Sequence, residues 1–237
     1  MSAFEYDSNL LDRYPGVVGG VIIARGLQNG PTSDSLRQVY LAEQQAVLAR
    51  LGDTPLSQLP SISAWRSAFS RFGVEPTKYR SAAESLLRRL TKKGDLPLIN
   101  TLVDIGNLVS IRHTLPVAVI DLRPVQEGIR VRFAEGSERF SVLNESGETV
   151  ENPQPGEVIF TDATNLVFSR RWCWRQSDQS AAQPDTTDAL ITVEAHHTTA
   201  QSDIEAALAD LTGLLHEFAG GTYRTGLASS ANPRVQE

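Results

Sequence analysis

The sequence predicts an α+β fold: a mixed, mostly antiparallel sheet with helices packed on it. Two observations point there. Helical periodicities crowd residues 35–110, short β-branched strands follow from 117 to 194, and one further helix comes after them. The elements also do not alternate strand by helix, as a parallel βαβ layout would require. With 237 residues and 41% hydrophobic content, the chain can bury a substantial core, and a single domain over 1–237 is expected, with a frayed tail from 229 to 237.

Along the chain, residues 16–24 form a short apolar run with internal glycines, which reads as a buried strand with a bulge or a close backbone approach. The spacing of Gly16, Gly19 and Gly20 fits neither a dinucleotide fingerprint nor a P-loop. Leu36, Val39, Tyr40, Val47 and Leu51 recur near helical spacing, and Gly52 supplies the stop. A Pro-containing connection leads to a helix over 62–69 that ends by Gly73 and Pro76. The next helix begins near Tyr79, with Leu86, Leu87 and Leu90 as its stripe and Gly94 as its stop. A third, over 98–110, places Leu102, Ile105 and Val109 on one face with Asp104 and Asn107 beside them. Strands are expected at 117–122, 129–133, 157–160 and 189–194, with a polar loop over 177–188. The last helix carries a candidate capping box, Ser202 and Glu205, and Gly220-Gly221 ends it.

Composition bounds the function. No stretch of about 18 apolar residues occurs, and residues 1–12 carry Glu5 and Asp7 where a signal peptide has basic residues, so neither a membrane span nor a secretion signal is expected. A lone cysteine, Cys173, leaves no disulfide framework and fits a reducing, cytoplasmic setting. The net charge of −6 argues against bulk binding of nucleic acid, and no DNA partner is expected. Any RNA contact must be local. Lys78, Arg80, Arg88, Arg89, Lys92 and Lys93, opposed only by Glu84, are either such a patch or a solvated helix face.

Two segments carry the chemistry: 98–121, and Arg170-Arg-Trp-Cys-Trp-Arg-Gln-Ser177. In the first, Asn100, Val103, Asp104 and Asn107 on a helix precede Pro116 and a strand ending at Asp121; downstream lies a Gly-Glu-Val-Ile strand at 156–159. This pattern, over about residues 65–216, resembles the B3/B4 family, the editing module of the phenylalanyl-tRNA synthetase β subunit. The resemblance implies the B3/B4 fold, a free-standing relative of that module, and an aminoacyl-tRNA deacylase with the charged 3′ end of tRNA as partner. Synthetase members of the family hydrolyse tyrosyl-tRNA made in error. Here the family's histidine after Pro falls on Ala118 and its tyrosine-reading glutamate falls near Gln176, so specificity for tyrosine is not expected; the Arg-Trp-Cys-Trp-Arg-Gln segment stands where the family has a glycine-rich stretch, so the pocket is expected to be narrower and differently selective.

By that resemblance Asn107 and Gln176 are the candidate catalytic groups, with Asp104, Arg171, Trp172, Trp174 and Arg175 about the substrate. Asp104 is expected to brace a loop and not to act as a base. An aminoacyl ester is already activated and needs only a placed water and a donor for the developing oxyanion. No nucleophile elbow G-x-S-x-G occurs. Cys173 is read as a small buried residue between two tryptophans that face the same way on a strand, filling the core or offering a stacking platform. His113 is expected to meet the end of its helix dipole. His196 and His197 point to opposite faces and lack companion ligands, so no metal and no cofactor are expected. The alternative reading is a non-catalytic tRNA- or protein-binding module.

Overall fold

The structure is a computed structural model, described over residues 3–144 and 147–237. Six helices and twelve strands occur among the described residues: β1 (Ala3–Tyr6), α1 (Ser8–Arg13), β2 (Val18–Arg25), α2 (Asp34–Leu51), α3 (Pro60–Arg71), α4 (Ala82–Lys93), α5 (Thr101–His113), β3 (Val117–Asp121), β4 (Ile129–Phe133), β5 (Phe140–Asn144), β6 (Gly147–Glu151), β7 (Val158–Thr161), β8 (Val167–Arg170), β9 (Arg175–Gln176), β10 (Ala189–Ala195), α6 (Ala200–Phe218), β11 (Thr222–Ala228) and β12 (Arg234–Gln236). The expected α+β class with a mixed, mostly antiparallel arrangement is what forms. One sheet runs β11-β2-β10-β3 and is antiparallel throughout; a second runs β12-β1-β4-β7-β8-β9 with one parallel pair, β1 with β4; β5 and β6 make a separate hairpin.

The inner strands of the four-stranded sheet, β2 and β10, are buried on both faces, so they separate two cores. On one side Ile22, Ala24, Val119, Ile191 and Val193 pack against α2, α4, α5 and α6. On the other, Val21, Ile23, Ile120 and Leu190 meet Phe4, Tyr6, Val131, Phe160 and Trp172 of the second sheet and its turns, with Trp65 and Phe69 of α3. This is why residues 16–24 read as one continuous apolar run. Its glycines answer to close approach. A Cβ on Gly20 would lie 2.7–2.9 Å from side-chain atoms of Ile204, Leu208 and Val193, and one on Gly19 would strike the Tyr6 ring.

Several boundaries differ from the sequence expectation. α4 starts at Ala82 and not near Tyr79, because Ser81 caps it by accepting from the Glu84 N–H. The Ser202–Glu205 box does not cap α6. That helix begins at Ala200, where Asp203 receives Thr199 Oγ1 at 2.8 Å and His197 Nε2 at 2.6 Å. The 229–237 segment is not frayed: β12 pairs with β1, and Val235 is buried against Gly226, where a Cβ would meet it at 2.7 Å. No described helix is long and apolar enough to cross a membrane.

Candidate functional site

The motif helix α5 enters the fold through a polar seam. Asn100 is its N-cap, accepting from the Val103 N–H at 3.0 Å, while its Nδ2 donates to the Ala182 carbonyl at 2.9 Å. Asn29 does the same from the other side, accepting from the Leu102 N–H at 3.1 Å and donating to the Gln183 carbonyl at 2.7 Å. Fully buried Asp104 accepts from the Ile99 N–H at 3.0 Å and from the Thr32 hydroxyl. Burial pushes its pKa up against those bonds. The motif's Asp104 is thus placed as a brace for the loop entering α5. Asp121, at the end of β3, is also a clamp: Thr186 Oγ1 donates to it at 2.5 Å and Arg123 at 2.6 Å, and Arg123 reaches on to Asp185 at 2.9 Å. These bonds fix the 177–188 loop over β3, the edge strand of its sheet.

Between α4, α5, the edge of β3 and that loop lies a cavity of about 540 Å³, within the usual range for small-molecule sites. Asn107 and Gln176, far apart in sequence, both line it. Its walls are otherwise mostly apolar, with Leu86, Val103, Val117 and Val119 among them. Ile99, 57% exposed, stands at its rim. Gly106 faces β3, where a Cβ would come 3.0 Å from Val119 Cγ2, so the glycine brings helix and strand together. Gln176 Nε2 donates to the Val119 carbonyl at 2.8 Å and the Ser180 carbonyl at 2.9 Å. Two carbonyl acceptors fix which end of the amide is nitrogen, leaving Oε1 as an acceptor without a described protein donor. The Asn107 amide lies near the Tyr40 hydroxyl and lowers a pKa that burial raises, yet that hydroxyl has no bond of normal geometry.

A smaller cavity, about 60 Å³, shares Ala82, Val117 and Gln176 with the first and reaches between the sheets. Thr192 and Glu194, on one face of β10, and Ala118, paired with Thr192 across β3, line it. Glu194 was missed in the sequence. It is 2% exposed, accepts from Tyr6 Oη at 2.6 Å and Trp172 Nε1 at 3.0 Å, both on Oε1, and burial pushes its pKa up to about 7. The available signal was an acid at the alternate position to Leu190 and Thr192, on a strand whose other residues, Thr192 apart, are apolar.

The Arg-Trp-Cys-Trp-Arg segment is a tight turn and not the expected strand. β8 stops at Arg170 and β9 starts at Arg175, with φ of +46° at Arg171 and +65° at Trp172. Bulky residues seldom occupy that region. The Trp172 N–H to the Val158 carbonyl (2.6 Å), the Arg171 N–H to Glu157 (3.0 Å) and Ser169 Oγ to the Trp172 carbonyl (2.7 Å) hold it. The two tryptophans consequently diverge. Trp172 is fully buried, edge-on to Tyr14, Trp65 and His196. Trp174 is part-exposed, edge-on to Tyr79 at 4.8 Å, and the Arg171 guanidinium lies over both rings at 3.9 Å (Tyr79) and 4.4 Å (Trp174). Arg175 is exposed. Burial and then Glu194 push the Cys173 thiol well up, so it is a poor nucleophile.

On α4, helical spacing sets Arg89 and Lys93 on the face that Ala82, Ser85 and Leu86 present to the large cavity. Arg88 and Lys92 lie beside them and line a surface groove with Arg66 and Arg80. Arg80 is 3.6 Å from Glu84, Arg89 is 3.7 Å from Asp95, and Lys78 Nζ sits 5.3 Å from the Tyr79 ring centre. His113 closes α5 and meets Asp210 at 2.7 Å; His196 is part-buried against Trp65 and Trp172, and its desolvation lowers its pKa to about 3. Among the described residues no three His, Cys, Asp or Glu side chains gather as a metal cluster.

Residues 64–220 match the B3/4 domain. The chain is similar in structure to an N-terminal fragment of the phenylalanyl-tRNA synthetase β-subunit from Pyrococcus horikoshii, with a TM-score of 0.45 and 15% identity, covering 93% of this chain and 50% of that one. It therefore spans half the length of that fragment. None of the curated proteins matches. Because the match covers well over half of the sequence and contains α5, the edge strand β3 and the turn beside Gln176, the chain belongs to the B3/4 domain family.

Proposed function

We propose that the protein is an aminoacyl-tRNA deacylase that acts in trans, hydrolysing the ester of mischarged tRNA with a positioned water. The observation that carries the reading is that Asn107 and Gln176, far apart in sequence, line one mostly apolar cavity beside a basic helix face. In this reading the terminal adenosine rests at the apolar rim by Ile99, and the ester lies between the two amides. Asn107 donates to the carbonyl oxygen as it gains charge. Gln176 Oε1 accepts a hydrogen bond from the attacking water. Water adds to the carbonyl carbon, the ester bond breaks, and the proton that water gives up ends on the departing ribose oxygen.

The other residues support that geometry. Asp104 holds the rim through Ile99; Trp172 backs the turn from inside; Trp174, Arg171 and Arg175 offer a stacking and phosphate-binding surface. Lys78, Arg80, Arg88, Arg89, Lys92 and Lys93 supply the local positive charge for the acceptor end. Cys173 takes no part in bond making.

One observation favours the second reading, a non-catalytic tRNA- or protein-binding module: none of the side chains lining the large cavity is titratable. Incubating the protein with a panel of mischarged tRNAs and following ester loss separates the two. The deacylase reading expects acceleration for at least one pair; binding without acceleration of any pair supports the module instead.

A further inference from the structure

The basic residues of α4 do not form one patch. Helical spacing puts Glu84, Arg88 and Lys92 in one row, and Arg89 and Lys93 in the next, toward the large cavity. The first row is a wall of the surface groove, of about 460 Å³, which Arg66 of α3 and Arg80, just ahead of α4, also line. Residues 52–57 supply the rest, including Thr54 and Ser57, whose hydroxyls make no described hydrogen bond. Four cations thus share the groove with two carboxylates, Asp53 and Glu84, on a chain whose net charge is −6.

Glu84 holds two of those cations in place. It is 4% exposed; Arg66 Nη1 donates to its Oε1 at 2.6 Å, and Arg80 Nε lies 3.6 Å from the same oxygen. Its Oε2 is closed off from solvent and has no partner. A buried carboxylate with one oxygen unpaired costs stability, so what it contributes is the placing of the guanidiniums. Their donors remain mostly free: Arg66 uses one N–H in a described hydrogen bond and Arg80 uses none. Arg88 and Lys92 are exposed and make no described ion pair.

We infer that this groove is a phosphate-binding site, in which Arg66, Arg80, Arg88 and Lys92 hold the anion and Glu84 is a positioning residue. The site stands independently of the deacylase reading. A phosphate group spreads its charge over several strongly accepting oxygens and takes two parallel N–H bonds from an arginine, which suits four cationic heads better than the two oxygens of a carboxylate. Among the described residues no aromatic side chain lines the groove, so no platform is offered to a base and recognition falls on the phosphate alone. That chemistry is common to an RNA backbone and to a free phosphate compound.

Calorimetric titration of the full chain with pyrophosphate at constant ionic strength tests the site. Saturable binding is expected, and Arg88→Ala with Lys92→Ala should raise Kd by about tenfold or more, as for lost hydrogen bonds to a charged group. Arg89→Ala with Lys93→Ala removes the same charge from the neighbouring row and should leave Kd nearly unchanged. Glu84→Gln separates a built site from bulk attraction. It removes a negative charge, which alone would tighten binding, yet loosening the two guanidiniums should weaken it severalfold. Both double variants change exposed side chains only, so they decide the matter even if Glu84→Gln does not fold. Deacylated tRNA identifies the source: pyrophosphate that displaces bound tRNA assigns the site to the RNA backbone, and pyrophosphate that binds without affecting tRNA assigns it to a free phosphate compound. No saturable binding of pyrophosphate, equal losses in the two double variants, or tighter binding by Glu84→Gln overturns the inference and leaves the deacylase reading untouched.

Discussion

Glu194, at the end of β10, and His196, just past it, load the fold with opposite pH dependences. Burial moves Glu194 up from 4.5 to about 7, so the native state binds that proton more tightly than the unfolded chain. Its contribution is therefore greatest below pH 4.5 and is lost as pH rises through 7, by about 3 kcal/mol in all. Burial moves His196 down from 6.5 to about 3, which makes the unfolded chain the better proton acceptor and removes stability as pH falls below 6.5. Tyr6 and Cys173 beside Glu194 stay protonated across that range, since burial raises both. Denaturant midpoints of wild type and Glu194→Gln at pH 5 and pH 7.5 isolate the carboxyl. The variant should gain on wild type by about 2 kcal/mol between the two, most of the full effect; equal differences at both pH values would mean that Glu194 is ionised in the fold. Asn107 and Gln176 were legible as candidates through the motif, but Glu194 was not. Its alternation with Leu190 and Thr192 identifies a face, and only the second sheet decides that this face is buried.

At the scale of elements, the sequence reading located helices well and their ends less well. Leu36, Tyr40, Val47 and Leu51 give α2 its buried stripe, and Gly52 ends it at a positive φ, as expected. Caps made by residues distant from a plausible local pattern were harder to see: Ser202 and Glu205 fit a capping box, but Thr199 and His197 already engage Asp203 one turn earlier. The 170–175 turn was hidden for a different reason. Its alternating arginines and tryptophans imitate a strand, while Glu157, from another part of the chain, supplies acceptors that hold the turn. Strand-to-helix packing gives a sharp test at Gly20, whose glycine permits α6 to lie against β2. Gly20→Ala should destabilise the protein by about 1–3 kcal/mol through overpacking against Ile204 and Leu208, measured by urea unfolding. A loss under about 0.5 kcal/mol would show that α6 can retreat freely.

For the whole molecule, a net charge of −6 opposes RNA, and in the proposed reading the basic residues of α4 offset it locally. Arg89 and Lys93 extend the cavity-lining face, with Arg88 and Lys92 adjacent. Replacing all four by Glu should weaken tRNA binding and flatten the dependence of log Kd on log salt by about 0.7–0.9 for each phosphate that is no longer neutralised. Unchanged affinity at low salt would remove this face from the interface.

The central claim is direct hydrolysis by water between Asn107 and Gln176, without a covalent intermediate. Single-turnover deacylation by Asn107→Ala beside Cys173→Ala tests it most directly. Asn107→Ala should slow ester loss by about tenfold to a thousandfold, the span from a weak to a full oxyanion contact, with folding nearly intact. Cys173→Ala should retain wild-type rates, because water and not the thiol attacks. Full activity in Asn107→Ala with an inactive, folded Cys173→Ala would contradict the account and place a thioester on the path.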